Sequence, residues 1–151
     1  MPTIAWTELK TFELKQEAGP HRIVEPWIAA VGDLAEATLI RISATGTWSP
    51  LAGLPQCQPD GLAGMSYPEA GLVITDCAVG ALIGRVGGSS ASLKAATADP
   101  TTGETKPFPI GKCCFLRLPQ NALGPIFIGF NCLPRPLNLV EIKVTFESAR
   151  L

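Results

Sequence analysis

The sequence predicts an all-β protein, an antiparallel β-sandwich or jelly roll of about eight strands, and three observations lead there. Short segments alternate between apolar and polar residues, most clearly residues 37–45 and 139–147. Turn chemistry interrupts them at short intervals, with 15 Gly and 14 Pro in 151 residues. No convincing helix of about ten residues or more competes with that pattern, and no fixed-period repeat points to a propeller or solenoid.

The chain is organised around residues 71–87, GLVITDCAVGALIGRVG. Two runs of branched apolar residues, 72–75 and 81–86, are too short for free-standing helices. Gly80, Gly84 and Gly87 would each cost a helix interior about 1 kcal/mol relative to Ala. Two strands joined at a corner is the reading.

Residues 4–15 alternate as a first strand, with Trp6, Glu8, Lys10 and Phe12 on one face. Glu17-Ala18-Gly19-Pro20 is a turn, and residues 22–28 form an extended segment that Pro26 assigns to a sheet edge. In residues 37–45, Ile40, Ile42 and Ala44 alternate with Leu39, Arg41, Ser43 and Thr45. Residues 46–70 then lose periodicity and fill with Pro and Gly, which marks a long functional loop.

After the central pair, residues 87–111 read as a second long loop carrying a short strand at 92–96. Residues 113–118 are a strand. Residues 125–131 are apolar on both faces and take a central sheet position. Residues 139–147 close the chain with Val140, Ile142, Val144 and Phe146 facing one way. One domain spanning residues 1–151 is long enough to bury a substantial core.

Composition narrows function. Twelve basic and thirteen acidic residues leave a net charge of −1, with no block of like sign, which argues against a nucleic-acid surface or a polybasic membrane contact. No apolar run approaches the ~20 residues needed to span a bilayer, so a soluble chain without membrane insertion is expected. The N-terminal MPTIAWTELK lacks a signal-peptide pattern; cytoplasmic synthesis follows, with signal-independent release left open. Cys57, Cys77, Cys113, Cys114 and Cys132 have no metal-binding spacing and are expected to be reduced, mostly buried thiols.

Catalysis is not expected. The single histidine, His21, lies beside a turn, and no nucleophile elbow, P-loop or dinucleotide fingerprint occurs. Asp60, Glu69 and Asp76 are read as loop acids, with Asp76 either capping a turn or anchoring a ligand loop. Trp48 and Tyr67 flank the first long loop and could offer an aromatic face to a sugar, although a tryptophan at a strand end is more often a core plug. Around Asn131 and Asn138 there are amides and carbonyls but no acid before Glu141, so no strong calcium site is written there.

In order through the chain, Ala5-Trp6, Glu17-Ala18-Gly19, Gly32-Asp33, Ile40-Arg41-Ile42-Ser43-Ala44 with Gly46, Pro68, Gly71-Leu72-Val73-Ile74, Asp76, Gly80-Ala81-Leu82, Gly87, Gly124 and the strands ending at Asn131 and Val144 resemble the galactophilic PA-I (LecA-like) lectins. The resemblance implies a galactose-binding-domain-like sandwich, a homo-oligomer, and calcium-mediated binding of a glycan or glycoconjugate. It places the ligand site at Trp48, Pro50, Tyr67, Asn131, Cys132 and Asn138. The family's Asn-Asp calcium pair falls on Asn131-Cys132, and Asn138 stands where the family has two asparagines. A thiol replaces the carboxylate, leaving Asn131 and Asn138 as residual metal candidates. The sequence-level expectation is therefore a carbohydrate-binding, lectin-like protein with sugar specificity altered or lost; the alternative is a structural or interaction protein that self-assembles or docks on a protein partner, consistent with a mean hydropathy of +0.26.

Overall fold

A computed structural model describes residues 4–16, 28–31, 39–49, 55–68, 71–87, 106–117, 125–132 and 140–149. Its strands are β1 (Thr7–Gln16), β2 (Ile28–Val31), β3 (Leu39–Trp48), β4 (Leu82–Val86), β5 (Phe108–Pro109), β6 (Cys113–Arg117), β7 (Ile126–Phe130) and β8 (Val140–Ala149). They form two four-stranded antiparallel sheets, ordered β1-β8-β3-β6 and β2-β7-β4-β5. The protein is an all-β sandwich.

The alternation read from the sequence decides which side chains meet between the sheets. Ile40, Ile42 and Ala44 of β3 and Ile142, Val144 and Phe146 of β8 point inward from the first sheet. From the second, Leu82 and Val86 of β4 and Ile126, Ile128 and Phe130 of β7 meet them. Seven of these, Ile40, Ile42, Leu82, Val86, Ile126, Val144 and Phe146, are 0% exposed. Each contributes ~1.5–3 kcal/mol relative to an exposed side chain. As its two apolar faces require, β7 lies inside its sheet, between β2 and β4. Gly84 faces Phe108 and Ile110, and a Cβ there would come within 2.9 Å of both.

Two expectations are corrected. Residues 72–75 are not a strand: they belong to a compact turn in which the Cys77 amide donates to the Ile74 carbonyl at 3.3 Å. Their branched side chains cover rather than pair. Val73 and Ile74 pack over Ile83 and Phe127 on the outer face of the second sheet, forming a small second core. The apolar run is genuine, but its backbone is satisfied by a side chain instead of a ladder, as described below.

The second correction concerns β1. Trp6, Glu8, Lys10 and Phe12 do not share a face, because the β1–β8 register shifts between Glu8 and Lys10. Phe12 and Leu14 pair with Val144 and Ile142 and pack against the core. Beyond the bulge, Glu8 pairs with Glu147, which faces outward beside Arg41. One extra residue, the exposed Leu9, thus turns the start of the chain onto the outer face, the usual effect of a bulge.

Smaller differences follow from the limits of local pattern. The second strand occupies Ile28–Val31, later than the expected 22–28, whose first six residues lie outside the described set, as does the expected strand at 92–96. β5 was hidden in the second loop: its two residues pair with Ile83 and Gly84. Among the described residues no helix is long and apolar enough to cross a membrane.

Candidate functional site

Four of the residues predicted to bind ligand, Trp48, Tyr67, Asn131 and Cys132, lie within the described structure; Pro50 and Asn138 lie outside it, as does His21. Their chemistry is directed inward. Trp48 is 2% exposed, its ring stacks on Phe130 with centroids 3.9 Å apart, and its Nε1–H donates to the Gly80 carbonyl at 2.6 Å. Cys57, bridged to Trp48 through both backbone amides, sets its thiol 3.8 Å from the same carbonyl. Burial pushes that thiol up to about 11. Trp48 is the core plug.

Asn131 explains the turn at residues 71–78. Its Oδ1 accepts from the backbone amides of Val73 and Ile74 at 2.9 and 2.8 Å. Its Nδ2 donates to the carbonyls of Ile74, Cys77 and Ala78 at 2.9, 3.1 and 3.2 Å. The residue is 0% exposed, and both amide ends are engaged in holding the cover of the second sheet. Cys132 is likewise buried, with its Sγ 3.6 Å from the Tyr67 hydroxyl. Desolvation, with that thiol contact second, pushes the Tyr67 phenol up to about 12.

Calcium, which the family resemblance implies, does not fit the described donors at this end. It seeks several oxygens, normally with a carboxylate among them. Here the Asn131 oxygen already takes two amide hydrogens and the carboxylate position holds a buried thiol. Among the described residues no three His, Cys, Asp or Glu side chains could together hold a metal ion.

A different constellation lies open on the outer face of the first sheet. Register places Glu8, Glu147, Arg41 and Phe115 side by side across β1, β8, β3 and β6. Arg41 donates through Nε to Glu147 Oε1 at 3.0 Å and through Nη2 to Oε2 at 2.7 Å. This two-pronged contact fixes the guanidinium plane and holds the Glu147 carboxyl below its ordinary range. Trp6, delivered by the β1 bulge, lies over the guanidinium, 4.4 Å from ring centroid to Cζ. Phe115 sits 5.9 Å from Trp6 at 54° and is 63% exposed.

Sequence reading missed this cluster although the outward orientation of Arg41 and Glu147 was explicit in the alternation of their strands. What joins them to Phe115 is the pairing of β3 with β6, and what brings Trp6 is the bulge. Neither has a local signature. Of the three loop acids, Glu69 lies outside the described residues, Asp76 is exposed in the turn, and Asp60 accepts the Lys112 amide at 3.0 Å, tying the loop before β4 to the β5–β6 connection. None of the five cysteines forms a disulfide; Cys57 and Cys132 are buried, Cys77 and Cys114 half-buried and Cys113 exposed. Compared with models of known families and with curated proteins, the sequence matches none.

Proposed function

We propose that this chain is a non-catalytic carbohydrate-binding protein that engages glycan on the outer face of its first sheet, without calcium. The observation that carries this reading is the exposed Phe115 ring beside an arginine whose plane is fixed by Glu147 and Trp6. A sugar presents a C–H face that packs on an aromatic ring and hydroxyls that need directional partners at its rim. Phe115 supplies the first; the guanidinium N–H groups not used by Glu147 supply donors. Because Arg41 is already oriented, little side-chain freedom is lost on binding.

The likeness to PA-I lectins supports the ligand class and the scaffold, while the loop-end cluster offers little chemistry for the family's mode of binding. A glycan array probed with wild type and Phe115→Ala, each with and without chelator, tests the reading. Retention by wild type, its loss in the variant and indifference to chelator are expected. Retention that survives Phe115→Ala, or disappears with chelator, overturns it.

A second reading is self-association through this sheet, supported by Ile4, Leu9 and Phe115, which are 46%, 41% and 63% exposed. Light scattering over a concentration series separates the two: a mass that rises with concentration in wild type but not in Phe115→Ala favours an interface between copies.

A further inference from the structure

We infer that the ligand is a neutral, linear oligosaccharide several units long, lying along β8 and β3 from the Phe115 platform to a second subsite at the far end of the strip. This rests on the glycan reading above and specifies its ligand.

The outer face of the first sheet continues beyond the platform in registered rows. Next to Glu8, Glu147, Arg41 and Phe115 comes a row of Thr11, Thr145, Ser43 and Cys113. Beyond it, Glu13, Lys143 and Thr45 stand abreast, followed by Glu141 beside Thr47. The last two rows line a depression of about 390 Å³. Arg41 and Thr47 are six residues apart on one strand, so the strip runs ~20 Å at the rise of a β-strand. That length exceeds one pyranose ring.

Gly46 shapes the far end. Its φ is +115°, and a Cβ there would lie 2.0 Å from the Glu141 carbonyl oxygen. Thr45, Gly46 and Thr47 are exposed in succession where strict alternation would hide one of them. The depression surrounds Gly46 and is lined by the hydroxyls of Thr45 and Thr47, the charged groups of Glu13, Glu141 and Lys143, and the apolar Leu14 and Ile142.

Charge selects the class of chain. From the platform to the depression the outward register positions hold four carboxylates, Glu8, Glu13, Glu141 and Glu147, against Arg41, Lys143 and, paired with Glu141, Lys15; the exposed Arg117 follows just past the platform. Arg41 is already paired with Glu147, and Lys143 stands beside Glu13 in register. A sulfated or uronate polymer would have to displace Glu147 from Arg41 beside a second carboxylate, Glu8, whereas a neutral chain finds donors and acceptors along the whole strip.

The test is calorimetric titration of the full chain with neutral linear galacto- and gluco-oligosaccharides of one to six units, alongside a uronate series. Wild type is expected to gain at least tenfold in affinity between di- and tetrasaccharide for one neutral series, and to bind uronates more weakly. The exposed pair Thr45→Val and Thr47→Val should erase the length gain while leaving disaccharide affinity unchanged, with circular dichroism confirming the fold. As a second readout, bound tetrasaccharide should slow alkylation of Cys113, which sits between the subsites. Affinity independent of length, a length gain that survives the double variant, or preference for uronates overturns the inference while Phe115-dependent binding leaves the platform standing. Absence of binding to every oligosaccharide overturns both.

Discussion

The two sheets treat their outer faces differently, and two arginines show how. Arg85 on β4 lies over Phe127 at 5.1 Å and is 0% exposed; Arg41 on β3 lies against Trp6 at 4.4 Å on a face where Phe115 stays 63% exposed. The local chemistry is the same, a cation on an aromatic ring. The difference is the cover: on the second sheet Ile83 and Phe127 lie beneath Val73 and Ile74, held there by Asn131, so its aromatic is structural. On the first sheet the pair of Arg41 and Trp6 is oriented beside an aromatic that remains accessible.

Breaking the cover should produce the largest effect. Asn131→Ala strips partners from the amides of Val73 and Ile74 and from three carbonyls, and should cost at least about 3 kcal/mol in urea denaturation. The matched pair of phenylalanines sharpens the contrast. Phe127→Ala empties a buried site and should cost about 3–4 kcal/mol, whereas Phe115→Ala should change stability by no more than about 0.5 kcal/mol while abolishing glycan retention.

Thiol reactivity gives a smaller, graded readout. Cys113 faces outward on the first sheet and should alkylate first; Cys77, half-buried in the cover and raised by desolvation and then by Asp76, should follow. Cys57, with its thiol pushed up to about 11, should react only on unfolding. Peptide mapping after timed alkylation at neutral pH checks the order.

The smallest expected effect is that of acid on the Arg41–Glu147 pair. Because the folded Glu147 carboxyl lies below its ordinary value, its contribution is complete above the unfolded pKa of about 4.3 and is lost as pH falls through the folded value. The difference in denaturation midpoint between wild type and Glu147→Gln should therefore narrow and vanish on acidification.

The architecture was legible because alternation is a local consequence of burying one face: residues 37–45 and 139–147 became β3 and β8, adjacent in the first sheet. The run at 72–75 misled because the same branched residues that favour a strand also serve as a cover, and only Asn131, more than fifty residues on, determines which. Site residues were harder for a related reason. Trp48 and Asn131 look like ligand contacts until their partners, Phe130, Gly80 and the turn, are known. Trp6 and Phe115 meet through a bulge and a long-range strand pairing that no short window contains.

Residue-resolved NMR during titration with a neutral tetrasaccharide tests the central claim most directly. Shifts should concentrate on the Trp6 indole and on Arg41, Phe115, Glu147, Thr45 and Thr47, unchanged by chelator. Shifts confined to Tyr67, Asn131 and Cys132, appearing only with calcium, would place the ligand at the loop end and contradict the account.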